Sequence, residues 1–346
     1  MKKVTIIGNF GVNGGDCGQT IKTNVIYRLF QSEYEGEVLT FNTKDLSNPI
    51  KFFVLLMMVL KGDKFVILPA KKALPILAIL FYILNKKADY IVIGGWLPQY
   101  ILKTNCWIKK SIERNFRVFV ETKDMQLKLK ESNIMSFVLP NFKNFEKLAM
   151  ESILKQRPYF PNETKYVYMS RVIKEKGVID AIAALTIHAG RDKDKTLIFD
   201  IYGTLNKNFE EELRNTIKNI DHRNLIVSYK GFTKPEGVQE TLIDYDYFIF
   251  PTYYEGEGFP GALVDALSTG LPIIASDWKY NGEIVKNNEN GFLYEVRNVE
   301  KLAKILNYTS SLEDKAYQRI VQTCLAGSIN FHEDTVKHEM KRYGFF

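Results

Sequence analysis

Short runs of β-branched and aromatic residues alternate along the chain with segments whose apolar positions return at helical spacing. The first series reads "VTIIG", "QTIKTNVIYRLF", "EVLTF", "KFVIL", "DYIVIGG", "FRVFVE" and "MSFVLPN". Alternation of this kind predicts parallel strands with helices packed on both faces. The rhythm breaks at "KQRPYFPNET", residues 155–164, where two prolines and the loss of apolar periodicity predict a linker. A second series follows: "KYVYMS", "GVIDAIAAL", "TLIFDIYG", "NLIVSY", "YFIFP", "GALVDAL" and "PIIAS". The expected fold class is therefore α/β, with two Rossmann-like, doubly wound domains, 1–155 and 164–330, facing a cleft where such sheets bind ligands.

Composition fits this picture and adds a charge asymmetry. The 346 residues are 46% hydrophobic and 25% charged, as in ordinary folded domains. Net charge is +7, and residues 1–150 carry 22 Lys and Arg against 12 Asp and Glu. A basic first half points to an anionic neighbour: nucleic acid, a phosphorylated substrate or an anionic membrane surface. Cys17, Cys106 and Cys324 are odd in number and far apart, which fits neither a disulfide framework nor a zinc cluster and suggests a reducing, cytoplasmic compartment. "MKKVTIIGNF" lacks a secretory cleavage pattern. The stretches "FFVLLMMVL" and "ALPILAILFYIL" are too short to span a bilayer and are expected to form buried helices, with contact to a membrane surface as the alternative.

Three segments carry candidate chemistry. In "GNFGVNGGDCGQTIKT" a strand runs into a loop rich in glycine, including Gly14 and Gly15, before a helix. Bare backbone N–H groups beside a helix N-terminus suit phosphate. Positions one, three and six after the strand hold Gly8, Phe10 and Asn13, so the dinucleotide fingerprint is absent. In "YMSRVIKEKGVIDAI", Arg171 and Lys176 follow a strand and precede a helix, where two cations can converge on a diphosphate. In "YYEGEGFPGALVDALSTGLPIIASDW", acids and glycines lie between a buried strand and a helix opened by Pro260. Carboxylates there can accept hydrogen bonds from sugar hydroxyls, while backbone N–H groups of Gly258 and Gly261 reach the remaining oxygens. Asp192 and Asp194 in "RDKDK" are read as a solvated turn, and no metal or other cofactor is expected.

Taken together, these segments resemble the retaining family 4 glycosyltransferases of GT-B fold, which show two acids separated by seven residues in a Glu-Gly-Phe-Gly type segment. Eight positions beyond Glu255 stands Leu263, whereas eight beyond Glu257 stands Asp265, so Glu257 and Asp265 form the pair, the second shortened by one methylene. "SRVIKEKG", "FDIYGTL" with Gly203, "LPNF" with Asn141, and "TGLPIIASD" are similar to other family segments. The resemblance implies that Glu257 and nearby amides hold the donor hexose, that Asp265 holds the ribose, and that Arg171 and Lys176 neutralise the leaving diphosphate. It places Gly14, Gly15, Gly203, Gly258, Phe259, Pro260 and Gly261 along the donor. It also implies that the tail, about 332–346, forms a helix crossing back to the first domain. Relatives often use a histidine in the first domain, but His188, His222, His332 and His338 all follow the linker. The leaving phosphate is then expected to take the acceptor proton, with Asp16, Glu121 or the loop around Trp96 as alternatives.

The expected function is transfer of a hexose, with retention, from a nucleotide-diphosphate sugar to a glycan or polyprenyl-linked acceptor, in bacterial surface polysaccharide biosynthesis. The expected location is cytoplasmic and peripheral on the inner face of the membrane. Other readings are a nucleotide-sugar epimerase of GT-B fold, a non-catalytic relative, or a nucleic-acid-binding protein. No nucleic-acid module or aromatic-basic platform supports the last, and no nucleic acid is expected as partner.

Overall fold

The computed structural model describes residues 2–11, 18–157 and 162–346. Gly14, Gly15, Asp16 and Cys17 lie outside the described residues, as do residues 158–161 of the expected linker. The chain divides into two compact units, Met1–Pro140 with Val336–Phe346, and Asn141–Thr335.

The first unit is built on six parallel strands: β1 (Lys3–Gly8), β2 (Glu37–Asn42), β3 (Lys64–Leu68), β4 (Ala88–Ile91), β5 (Phe116–Val120) and β6 (Ser136–Val138). Their order is β2-β1-β3-β4-β5-β6. Between them run α1 (Gly18–Glu33), α2 (Pro49–Lys61), α3 (Leu74–Ile83), α4 (Leu97–Lys103), α5 (Cys106–Asn115) and α6 (Lys123–Glu131). Parallel crossovers are right-handed. The step from β1 to β2 runs opposite to the later steps, so α1 lies on one sheet face and α2, α3 and α5 on the other. Alternation along β5 agrees: Phe116 meets Phe81 of α3 at 5.6 Å between ring centroids, while Phe119 meets Phe345 at 4.8 Å. Phe345 in turn meets Phe30 of α1 at 6.3 Å. The two long apolar stretches are helices, as expected, but only one face of each is buried. Leu55 and Val59 of α2, and Leu77, Ala78 and Phe81 of α3, are interior, whereas Phe53, Ile79 and Ile83 face solvent.

The second unit holds a second parallel sheet: β7 (Glu163–Met169), β8 (Thr196–Tyr202), β9 (Leu225–Gly231), β10 (Tyr247–Phe250), β11 (Ile273–Ser276) and β12 (Gly291–Tyr294). Its order is β12-β11-β10-β7-β8-β9. Around it lie α7 (Met150–Gln156), α8 (Val178–Arg191), α9 (Lys207–Lys218), α10 (Val238–Leu242), α11 (Gly261–Ser268), α12 (Asn281–Ile284), α13 (Val299–Thr309) and α14 (Asp314–Ser328). The core is one continuous cluster that includes Tyr166, Phe199, Phe248, Phe250, Leu263 and Leu306. The last helix, α15 (Glu333–Arg342), leads from Thr335 into the segment that belongs to the first unit. There Lys341 pairs with Glu33 at 2.6 Å.

The boundary differs from the position read off the prolines. Residues 141–157 belong to the second unit, because Arg157 is buried and its guanidinium donates to the carbonyls of Ile243, Leu242, Thr269 and Gly270. A cation that satisfies four buried carbonyls ties its segment down however proline-rich its neighbourhood is. Both sheets are α/β and doubly wound, the class expected from the alternating pattern.

Candidate functional site

Strands β7 and β10 are neighbours, with Phe248 opposite Val167, yet β7 leads to β8 on one side and β10 to β11 on the other. This is a topological switch point, where the loops leaving the two carboxyl ends diverge and open a crevice. The loop after β7 carries Arg171 and Lys176, and the loop after β10 carries the acids. Tyr253 N donates to Glu175 O at 2.8 Å, which ties the two loops together.

Close approach requires glycine at two positions. Gly177 has φ +74°, and a Cβ there would overlap the Pro251 carbonyl oxygen. Gly203, at the end of β8, has φ +136°, and a Cβ would overlap the Ser170 carbonyl oxygen. The second glycine lets the β8 end press against the Arg171 loop; its own carbonyl accepts from the Tyr229 hydroxyl at 2.9 Å.

In the crevice, Lys176 Nζ lies 2.6 Å from Glu257 Oε2, and both side chains are less than 10% exposed. Thr252 Oγ1 donates to the same carboxylate oxygen at 2.9 Å. The ammonium also lies 5.0 Å from the Phe250 ring centroid and 5.7 Å from that of Tyr254, distances of cation–π attraction. Burial pushes the Lys176 pKa down, and the Glu257 carboxylate opposes that shift. Such an ammonium is held out of water by burial and is matched there by a single carboxylate. Arg171 is exposed, and its guanidinium stacks 5.2 Å from the Tyr254 ring centroid. The Tyr254 carbonyl accepts from Trp278 Nε1 at 2.9 Å and from the Glu257 backbone N–H at 3.0 Å, which fixes the loop.

Glu255, two residues from Glu257, has a different environment: its side chain is 75% exposed and pairs with Lys279 at 2.7 Å. Asp265 sits on α11, where Lys143 Nζ approaches its Oδ2 to 2.5 Å. Burial raises the Asp265 pKa and Lys143 opposes the rise. Asn141 Nδ2 reaches Phe259 O at 3.4 Å, and the Phe259 ring packs edge-on against Phe331 at 5.2 Å, so this ring anchors the loop by its apolar face. Pro260 caps α11, and Gly261 leaves room for the Lys143 stem, which a Cβ would meet at 3.0 Å. Gly258 follows Glu257 in the loop that leads to α11. Sequence reasoning did not name Lys143, Thr252 or Tyr254 as site residues. Tyr254 is legible in "YYEGE" as an aromatic beside the acids; Lys143 stands 122 positions from its partner and gives no local signal.

Among the alternatives for a base in the first unit, Glu121 is buried and accepts from Gly94 N at 3.1 Å, and Trp96 donates its indole N–H to Ile93 O. Asp192 and Asp194 lie in the turn between α8 and β8.

Residues 150–323, half of the chain, match the family Glycosyl transferases group 1, and the segment contains Arg171, Lys176, Gly203, Glu257 and Asp265. The chain belongs to this family. The amylovoran biosynthesis glycosyltransferase AmsK of Erwinia amylovora is 30% identical over 159 residues, 44% of this chain and 37% of that protein. The UDP-Gal:alpha-D-GlcNAc-diphosphoundecaprenol alpha-1,3-galactosyltransferase of Escherichia coli is 29% identical over 126 residues, 34% of this chain and 30% of that one. The chain thus spans about a third of the length of these two curated relatives. In architecture it is similar to Anabaena Alr3699/HepE, solved in complex with UDP, with a TM-score of 0.73 and 17% identity over 99% of both chains. At that identity the likeness shows the fold alone, which is GT-B.

Proposed function

We propose that this group 1 chain transfers a hexose from a nucleoside diphosphate sugar to a lipid-linked glycan acceptor, with retention of the anomeric configuration, in the assembly of a bacterial polysaccharide. The observation that carries the reading is the buried Lys176–Glu257 pair at the β7/β10 switch point, with Arg171 beside it. Breaking a glycosyl phosphate bond places negative charge on the departing diphosphate, so fixed cations at that oxygen are the main electrostatic need. Lys176 supplies a desolvated point charge and Arg171 a planar fork. Glu257 accepts hydrogen bonds from sugar hydroxyls, contacts that strengthen as positive charge develops on the ring. Asp265, held by Lys143, is assigned the ribose. The leaving phosphate takes the acceptor proton.

The names of the two curated relatives support the setting, since one states amylovoran biosynthesis and the other states a UDP-Gal donor and a diphosphoundecaprenol acceptor. The HepE complex with UDP supports a uridine nucleotide as the first donor to try. The test is a thermal-shift screen of nucleoside diphosphates and their sugars, UDP and UDP-sugars first, since a ligand bound only by the folded chain raises the melting temperature. It is followed by transfer to a polyprenyl-diphosphate sugar and proton NMR of the new linkage. A donor that stabilises the chain and yields an α-linked product from an α-linked sugar nucleotide supports the assignment. No stabilisation by any nucleoside diphosphate, or a product of inverted configuration, refutes it.

A further inference from the structure

More than half of the exposed large apolar side chains among the described residues fall between Ile50 and Trp107. They are not scattered. On α2, Ile50, Phe53 and Val54 follow helical spacing, and on α3, Ile76, Ile79 and Ile83 do the same, so each helix turns an apolar stripe outward as well as inward. By the handedness of the crossovers both stripes lie on the same side of the first sheet. An apolar face of this extent on a soluble domain marks a surface that is covered in use.

Charge identifies the cover. Neither α2 nor α3 contains an acidic residue. Exposed lysines bracket the helices: Lys61 ends α2, Lys71 and Lys72 precede α3, and Lys87 follows it. A second copy of the chain is a poor occupant, because a two-fold interface would set this basic patch against itself. An anionic bilayer satisfies both features, with acyl chains under the isoleucines and lipid phosphates around the lysines.

We propose that the outer face of α2 and α3 in the first unit seats on an anionic lipid bilayer. This names the surface on which the proposed acceptor would be met, and rests on that reading only for its purpose, since binding to lipid requires neither donor nor acceptor. The test uses the full chain and sedimentation with vesicles of phosphatidylcholine alone or with about one third phosphatidylglycerol. The wild type is expected to sediment with the anionic vesicles at low salt and to be released by high salt. Phe53→Asp with Ile79→Asp should weaken binding at least about tenfold, because two carboxylates are then set against acyl chains and phosphates. Ile21→Asp, on exposed α1 across the sheet, should leave binding unchanged. Melting temperatures of all three proteins should agree. As a direct readout, Trp107 is 66% exposed at the start of α5, on the same sheet face. Its emission should shift to the blue with anionic vesicles, and Trp107→Phe should abolish the shift. Equal binding to both vesicle types, retention of binding by the double variant, or equal loss in Ile21→Asp would overturn the proposal. So would a dimer in solution that the double substitution dissociates.

Discussion

Replacing Glu257 by Gln leaves Lys176 in the crevice without its counter-charge, and the consequences separate into stability and chemistry. At 2.6 Å and an effective dielectric of about 20, the gross attraction is roughly 6 kcal/mol, opposed by several kcal/mol for desolvating each ion. The net loss when one partner goes is therefore about 3 kcal/mol, less where the Gln oxygen still accepts from Thr252 or Lys176. In a unit of this size that is a fall of about 6 to 12 °C in melting temperature. Lys176→Met strands the carboxylate and should cost a similar amount. The double variant removes both charges and should regain about 2 kcal/mol relative to the sum of the two, a coupling readable by scanning calorimetry. Transfer behaves otherwise. Glu257→Gln should slow transfer by roughly one to two powers of ten while UDP affinity survives, Lys176→Met should weaken UDP itself, and the double variant should recover stability without recovering rate. Glu255→Gln, with its exposed side chain on Lys279, should be close to wild type in both. The reasoning fails if the two substitutions are additive in stability, or if Glu257→Gln transfers at the wild-type rate while Glu255→Gln does not.

The other expectations follow from single contacts. Asp265→Asn should weaken uridine as well as UDP by roughly tenfold in calorimetric titration, since a ribose partner serves both ligands alike; loss of UDP affinity alone would move Asp265 away from the ribose. Gly203→Ala should lower the melting temperature by at least about 5 °C and abolish UDP stabilisation, because a side chain at φ +136° would be driven into the Ser170 carbonyl beside Arg171. Lys22 is buried and its pKa falls to about 8, first through desolvation, with Glu121 opposing. Between about pH 8 and 10 the folded chain has released a proton that the unfolded chain keeps, so this group makes stability rise with pH; Lys22→Met should flatten the rise in melting temperature across that window, and an unchanged slope would count against the shift.

What could be read from the sequence and what could not divides along a physical line. Runs such as "KFVIL" and "YFIFP" became β3 and β10 because a strand buried on both faces must be apolar throughout, a local requirement that leaves a local mark. β12, "GFLY", was not among the runs read, since it follows the polar stretch "KNNEN" with no helical pattern between it and β11 long enough to mark a new repeat. The acids and glycines after β10 were legible for the same reason: a loop at a strand's carboxyl end writes its chemistry in consecutive residues. Lys143 was not, since its role depends on a partner brought close only by the fold, and Arg157 was hidden among prolines that suggested a linker. The helices of the first unit illustrate a subtler limit. "ALPILAILFYIL" is apolar around its whole circumference, and that pattern alone implies burial on every side. The fold buries Leu77 and Phe81 and leaves Ile79 and Ile83 outside. Apolar character states that a surface avoids water, whereas the identity of what covers it is carried by neighbouring charge. Here neither helix holds an acid, and Lys61, Lys71, Lys72 and Lys87 outnumber Asp63 around them, which is the ground on which an anionic partner is proposed.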